Sequence, residues 1–316
     1  MKYLDIIVNN FISIIFRLAL LFSSFLPIIN KNMTNELYVF MLILRKIRID
    51  YEKKSIEYWR KPCLSVICDF ENERLTWNLI YRNKIPVYKC FNKNAEKNSK
   101  PIIYVHGGGL SGGHPYNFKG IINKLSFLTN KNIEAINYRL CPEYSKKYAI
   151  EDFRDYILSI NSKWKNLCLI ADSAGCYIIH NYIKKYNECA KNFNIVIYMS
   201  PMLGLSNLDY LCDKNDSTAC VGTYKMCYKL AKINPPENIP DNLKFYGKNI
   251  LIFAANNETI FPDSNKIYKY LIKNKFNVKS VFKENQIHAW PLFQGLNIKE
   301  MNDSLIQISL EIIKKY

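Results

Sequence analysis

From Ile102 to the C-terminus, short apolar runs alternate with longer amphipathic ones, and this rhythm constrains the fold more than any other feature. The runs Ile102–Val105, Ile133–Tyr138, Leu167–Ala171, Ile195–Met199, Ile250–Ala254 and Val278–Phe282 read as buried strands. Helical patterns cover Glu151–Ser162, Ala174–Tyr186, Asp263–Lys273 and Met301–Lys314. Strands that alternate with helices pack as a mostly parallel sheet with helices on both faces. Upstream, residues 30–60 read as helical. Three β-rich runs then follow, Leu64–Cys68, Leu75–Tyr81 and Ile85–Tyr88, separated by turn-like residues as in an antiparallel meander. Residues 204–245 break the alternation and read as an insertion.

Composition narrows the class. The 316 residues are 49% hydrophobic, enough for a packed core, and ten cysteines are too dilute for a disulfide scaffold. A net charge of +17 is spread through an Asn-rich chain without a dense basic block, and no nucleic-acid motif accompanies it. No Cys-x-x-Cys pair occurs and only four histidines exist, so neither a metal nor a cofactor is expected. Cys212, Cys220 and Cys227 share one loop-like stretch and form a disulfide only if that stretch is lumenal.

Residues 1–30 form an apolar segment. Phe11–Ile29 has just spanning length and carries Arg17, so it reads either as a membrane anchor or as a helix covering the site. This points to a membrane-associated chain, in the endoplasmic reticulum for example, with a cytoplasmic location as the alternative. Residues 31–316 then form one globular domain, with residues 204–245 as an insertion in it.

Three short motifs carry the chemistry. The first strand ends in His106-Gly-Gly-Gly109, where consecutive glycines let the backbone approach a ligand and turn its N–H groups to one point. The third strand runs into a helix through Asp172-Ser-Ala-Gly175, which projects Ser173 above the sheet edge at the positive end of a helix dipole. Ala171 stands where such elbows carry their first glycine. The plainer reading makes Ser173 a helix N-cap. Of the histidines, His106 and His114 belong to the glycine loop and His180 lies too far along the helix from Ser173. His288, after the last strand, is the candidate base. Glu258, leaving the strand Asn249–Ala255, is the favoured acid, and Asp263 is the alternative, read more readily as an N-cap.

These motifs, together with Asn137-Tyr-Arg-Leu-Cys-Pro-Glu143, Glu151-Asp152 and Ser200-Pro201, resemble the hormone-sensitive lipase branch of the α/β-hydrolases over residues 100–316. That branch includes arylacetamide deacetylases and microbial carboxylesterases. The resemblance implies an α/β-hydrolase fold with a helical cap formed by the N-terminal segment and residues 204–245. It implies hydrolysis of small or lipid-like acyl esters by Ser173, His288 and Glu258. The backbone of Gly108, Gly109 and Ala174 would form the oxyanion hole, with His106, Gly107 and Asp172 in support. The elbow departs from the branch at Ala171 and at Cys176. A non-catalytic small-molecule-binding protein on the same fold is the alternative. The expected partners are an ester substrate and a membrane surface, not nucleic acid.

Overall fold

The computed structural model describes residues 33–47, 56–60, 70–161, 165–207, 216, 221–241, 243–294 and 298–316, with the single positions 18, 19 and 22 upstream. From residue 33 on, the described residues start with helix α1 (Asn35–Ile47) and a single helical turn at Ile56–Trp59. The hairpin of β1 (Leu75–Arg82) and β2 (Ile85–Asn92) follows. Its two-residue turn, Asn83 and Lys84, takes φ of 46° and 68°, the left-handed conformation that matches strand twist. The β-rich run Leu64–Cys68 and the apolar segment 1–30 lie outside the described residues, the three single positions apart. Among the described residues no helix is long and apolar enough to cross a membrane.

The alternation expected after residue 101 is present. It runs β3 (Ile102–Val105), α2 (Lys119–Thr129), β4 (Ile133–Ile136), α3 (Lys146–Asn161), β5 (Leu167–Asp172), α4 (Ala174–Lys185) and β6 (Phe193–Met199). It continues with α5 (Val221–Ala231), β7 (Asn249–Ala255), α6 (Phe261–Lys273), β8 (Val278–Lys283) and α7 (Lys299–Lys315). Helix α2 was not expected, and α3 starts five residues before the predicted helix. Helix α5 occupies the middle of the 204–245 stretch.

The eight strands lie in the order β1-β2-β4-β3-β5-β6-β7-β8. β2 is antiparallel to β1 and β4, and the remaining neighbours are parallel. β3, β4 and β5 are buried at every position, which is why they read as apolar runs, broken only by Glu134, paired with Arg82, and by Asp172 at the end of β5. Side chains alternate between two cores, as the pleat requires. Ile103, Val105, Leu169 and Ala171 face Phe153 and Tyr156 of α3 and Tyr182 of α4. Ile102, Tyr104, Cys168 and Ile170 face Ile122 and Leu125 of α2 and Leu305 and Ile308 of α7. Because β3 and β5–β8 are parallel, their C-terminal ends share one edge, and the loops carrying His106, Ser173, Ser200, Glu258 and His288 all leave from it.

Candidate active site

Ser173 sits between β5 and α4 at φ 47°, ψ −117°, a strained region for a residue with a side chain. Backbone bonds hold it there. Its N–H donates to Met199 O at 2.9 Å, and its carbonyl accepts from Cys176 N and Met202 N, each at 3.1 Å. The hydroxyl makes no capping bond to α4, so the N-cap reading is not realised. The elbow's tight contact falls on its second glycine. A Cβ on Gly175 would lie 2.1 Å from Val105 O. The methyl of Ala171 is instead absorbed within the fully buried β5, and the Cys176 thiol lies 3.4 Å from the Ala171 carbonyl.

Two strands away, β7 delivers Glu258 and β8 leads to His288. His288 Nδ1 lies 2.7 Å from Glu258 Oε2. Glu258 Oε1 accepts from Ala255 N at 3.3 Å, which folds the carboxylate back over the end of its own strand. Neighbouring bonds fix the two loops. The Asn257 side chain pairs with the backbone of Gln286 through both its atoms, at 2.8 and 3.2 Å, and Ala289 N donates to Ser200 Oγ at 2.8 Å. Burial pushes the Glu258 carboxyl above its ordinary range, against the pull of His288 and Ser200. Burial acts downward on His288. The bond and charge of Glu258, with Asp216 and Asp172 beyond, nevertheless carry the imidazole above its ordinary value.

The glycine loop presents its N–H groups by elimination. In a trans peptide C=O and N–H point to opposite sides. The Gly107 carbonyl meets His106 Nδ1 at 2.7 Å and Tyr138 OH at 3.4 Å, so Gly108 N–H points the other way. The Gly108 carbonyl accepts from Ser111 N and Gly112 N at 3.1 and 2.9 Å, which turns Gly109 N–H outward likewise. The Ser173 carbonyl, engaged as above, directs Ala174 N–H in the same sense. Among the described residues, none of these three N–H groups donates to a protein acceptor. Gly108 and Gly109 take φ of 110° and 62°, open to glycine at little cost.

Asp172 and His106 support this loop. Asp172 Oδ1 accepts from Tyr104 OH at 2.7 Å and from Gly107 N at 3.1 Å, and burial raises its carboxyl to about 7 against these bonds. His106 is sandwiched between Tyr138 and Phe118, and burial lowers it to about 4, so it stays neutral. Since Gly107 O can only accept, the His106 proton is on Nδ1.

Asp263, the alternative acid, is engaged elsewhere. It lies in the first turn of α6, where Ile260 is the N-cap, so the capping expectation is corrected. Its Oδ2 accepts from Leu203 N and Gly204 N at 2.7 and 2.8 Å. The carboxylate thus satisfies buried N–H groups of the chain after β6 rather than its own helix. His180 is buried with Nδ1 2.7 Å from Tyr246 OH, and His114 accepts from Tyr116 N. Cys227 is free and buried, while Cys212 and Cys220 lie outside the described residues. Among the described residues no three His, Cys, Asp or Glu side chains converge to hold a metal ion.

The alpha/beta hydrolase fold family matches residues 102–292, more than half of the chain and every strand from β3 to β8. The chain belongs to this family. As an α/β-hydrolase it is similar to the carboxylesterase/phospholipase LipF of Mycobacterium tuberculosis, 24% identical over 115 residues. That match covers 35% of this chain and 31% of LipF, so the chain spans about a third of that relative's length. A thermostable esterase from Pseudomonas putida superposes with a TM-score of 0.78 at 14% identity, covering 90% of this chain and 98% of that one. An esterase of the bacterial hormone-sensitive lipase family gives 0.68 at 12%, covering 96% and 97%. The motif resemblance to that branch agrees with the family match, and the two superpositions show the fold.

Several residues of this chain reach the site without having been expected there. On α5, Tyr224 OH lies 3.4 Å from His288 Nδ1, and the Cys227 thiol closes over Gly109, where a Cβ would stand 2.2 Å from Sγ. Asp216 is buried and accepts from Thr259 N at 2.8 Å, beside Glu258. Arg60, from the first hundred residues, donates to the carbonyls of Ser111 and Cys141. None carries a local sequence signal. Tyrosines number 23, and neither Arg60 nor Asp216 lies in a recognisable motif.

Proposed function

We propose that this protein is a serine hydrolase that cleaves carboxylic esters through an acyl-enzyme intermediate. The 2.7 Å pairing of His288 with the buried Glu258, on the edge that carries Ser173 in its strained elbow, is the observation that carries the reading. Its chemistry is that of a base held in one tautomer. Glu258 accepts from Nδ1–H, which leaves Nε2 as the basic nitrogen. His288 takes the Ser173 proton as Oγ bonds to the ester carbonyl carbon, and the displaced π pair gathers on the carbonyl oxygen. The outward N–H groups of Gly108, Gly109 and Ala174 receive that charge, at the N-terminus of α4. Collapse expels the alcohol, which takes the proton from His288. Water then repeats the sequence on the acyl-serine and releases the acid.

The similarity to the Mycobacterium tuberculosis carboxylesterase/phospholipase and to the two esterase structures supports the ester as substrate class. Helix α5 and the described residues of the 204–245 stretch serve as a cap, with Asp216, Tyr224 and Cys227 in contact with the site.

The test is hydrolysis of p-nitrophenyl acetate, butyrate and decanoate by the full chain and by Ser173→Ala. The substitution is expected to lower kcat by about 10³-fold or more, and the panel reads the acyl-length preference. A folded chain that turns over none of these esters in a Ser173-dependent way overturns the reading in favour of a binding protein on the same fold.

A further inference from the structure

The glycine loop is held in a costly shape. Within six residues Gly108, Gly109, Leu110 and Gly113 take φ of 110°, 62°, 60° and 91°. For Leu110 the left-handed region is sterically disfavoured, so the loop needs restraint from outside itself. Part of that restraint comes from Cys141 N, which donates to Leu110 O at 2.8 Å. The rest comes from a residue far upstream. Arg60 Nε donates to Ser111 O at 2.7 Å, and one terminal nitrogen donates to Cys141 O at 2.9 Å. Both terminal nitrogens meet the Glu143 carboxylate, at 2.7 and 2.6 Å. One planar guanidinium therefore spans the glycine loop and the Cys141–Glu143 loop, with its fork fixed by a bidentate carboxylate.

We propose that Arg60 is a positioning residue, which pins the Ser111 and Cys141 carbonyls so that the Gly108 and Gly109 N–H groups stay convergent. The catalytic part of this inference rests on the acyl-transfer reading above. Its structural part, a clamp from the N-terminal region onto the glycine loop, does not. Lysine could not replace it, since an ammonium is a point charge without the fork that holds two carbonyls and a carboxylate in one plane. The side chains are 30% and 52% exposed, and an ion pair that open adds little to global stability. Its effect is therefore expected in geometry more than in folding. Arg60 also holds the Glu143 carboxyl down to about 2, so the pair stays charged at every working pH.

The experiment compares the full chain with Arg60→Ala, Arg60→Lys and Glu143→Gln. Amide hydrogen exchange over residues 106–114 reads the clamp without reference to activity. Exchange at Ser111 and Gly112 is expected to rise about tenfold in Arg60→Ala while β5 is unchanged. With p-nitrophenyl butyrate, kcat is expected to fall about 10- to 100-fold, with KM changed by less than about threefold. Inhibition by an aryl trifluoromethyl ketone, whose adduct on Ser173 carries the same oxyanion, should weaken by a factor that follows kcat. Arg60→Lys should not restore either property, and added methylguanidinium should partly restore Arg60→Ala. Unchanged exchange over 106–114 in Arg60→Ala overturns the clamp. Unchanged kcat and inhibitor affinity beside faster exchange overturn the positioning role. If Arg60→Ala fails to fold, Glu143→Gln decides, since it frees the fork and should raise exchange and lower kcat to a smaller degree; no change in either overturns the proposal. If the unmodified chain hydrolyses no ester, only the acyl-transfer reading fails, and the exchange measurement still decides the clamp.

Discussion

The edge of the sheet and the layer laid over it contribute to the site in different ways. At the edge, each working group follows directly from the strand that carries it: Ser173 from β5, Glu258 from β7, His288 after β8. In the covering layer Arg60, Asp216, Tyr224 and Cys227 reach the loops at that edge from elements that are remote in sequence. Edge residues are placed by backbone topology, and on the proposed mechanism their substitution should remove chemistry. Covering residues are placed by packing, and their substitution should shift geometry or electrostatics by degrees.

The largest expected effect after loss of Ser173 is at Glu258. Glu258→Gln should lower kcat by about 10²- to 10⁴-fold, because the amide can present its NH₂ to Nδ1 and favour the wrong tautomer. It should also move the acid limb of the kcat/KM profile. On the proposed mechanism activity needs neutral His288, whose affinity for protons Glu258 keeps above the ordinary value. With that charge gone, burial is left acting downward, and the limb moves to lower pH. Asp263→Ala is the contrast. The acid limb should stay in place while stability falls by about 1–3 kcal/mol, since the N–H groups of Leu203 and Gly204 lose their acceptor. A moved limb in Asp263→Ala would reverse the assignment of the acid.

Where edge and cover meet, Gly109→Ala puts a methyl 2.2 Å from Cys227 Sγ and on a backbone with φ of 62°. An activity loss of about 10²-fold is expected. Cys227→Ala in the same chain should recover part of it, because that change relieves the contact but not the dihedral. A strictly additive double-mutant cycle would show that α5 does not bear on the loop.

The smallest effect belongs wholly to the cover. Tyr224→Phe removes a hydroxyl 3.4 Å from His288 Nδ1 and leaves the ring. A fall in kcat/KM of about two- to tenfold is expected in steady-state assays. A loss as large as that of Glu258→Gln would move Tyr224 into the machinery.

This division also decides what could be read in the sequence. The buried strands of the centre are legible because a strand covered on both faces is a continuous apolar run. His288 is legible because histidine is scarce, and Glu258 because an acid must leave a strand end between Ser173 and His288. Helix α2 escaped because its apolar positions Ile121, Ile122 and Leu125 are interleaved with Lys, Asn and Ser. The role of Asp263 escaped because the N–H groups it satisfies belong to Leu203 and Gly204, about sixty residues earlier. For Arg60 the partners lie 51 to 83 residues downstream, a distance at which no local pattern reports contact.

The bonds that steady Ser173 run across the strands rather than along them. Ser173 N bonds to Met199 O, Met202 N to Ser173 O, Ser200 N to Phe253 O at 2.7 Å, and Ala289 N to Ser200 Oγ. With the Asn257–Gln286 pair between the Glu258 and His288 loops, these bonds stitch the loops after β5, β6, β7 and β8 along one seam. A seam of that kind gives way as a length and not at single points. On the proposed function, substrate would enter through what lies above the seam and not through the stitched edge itself.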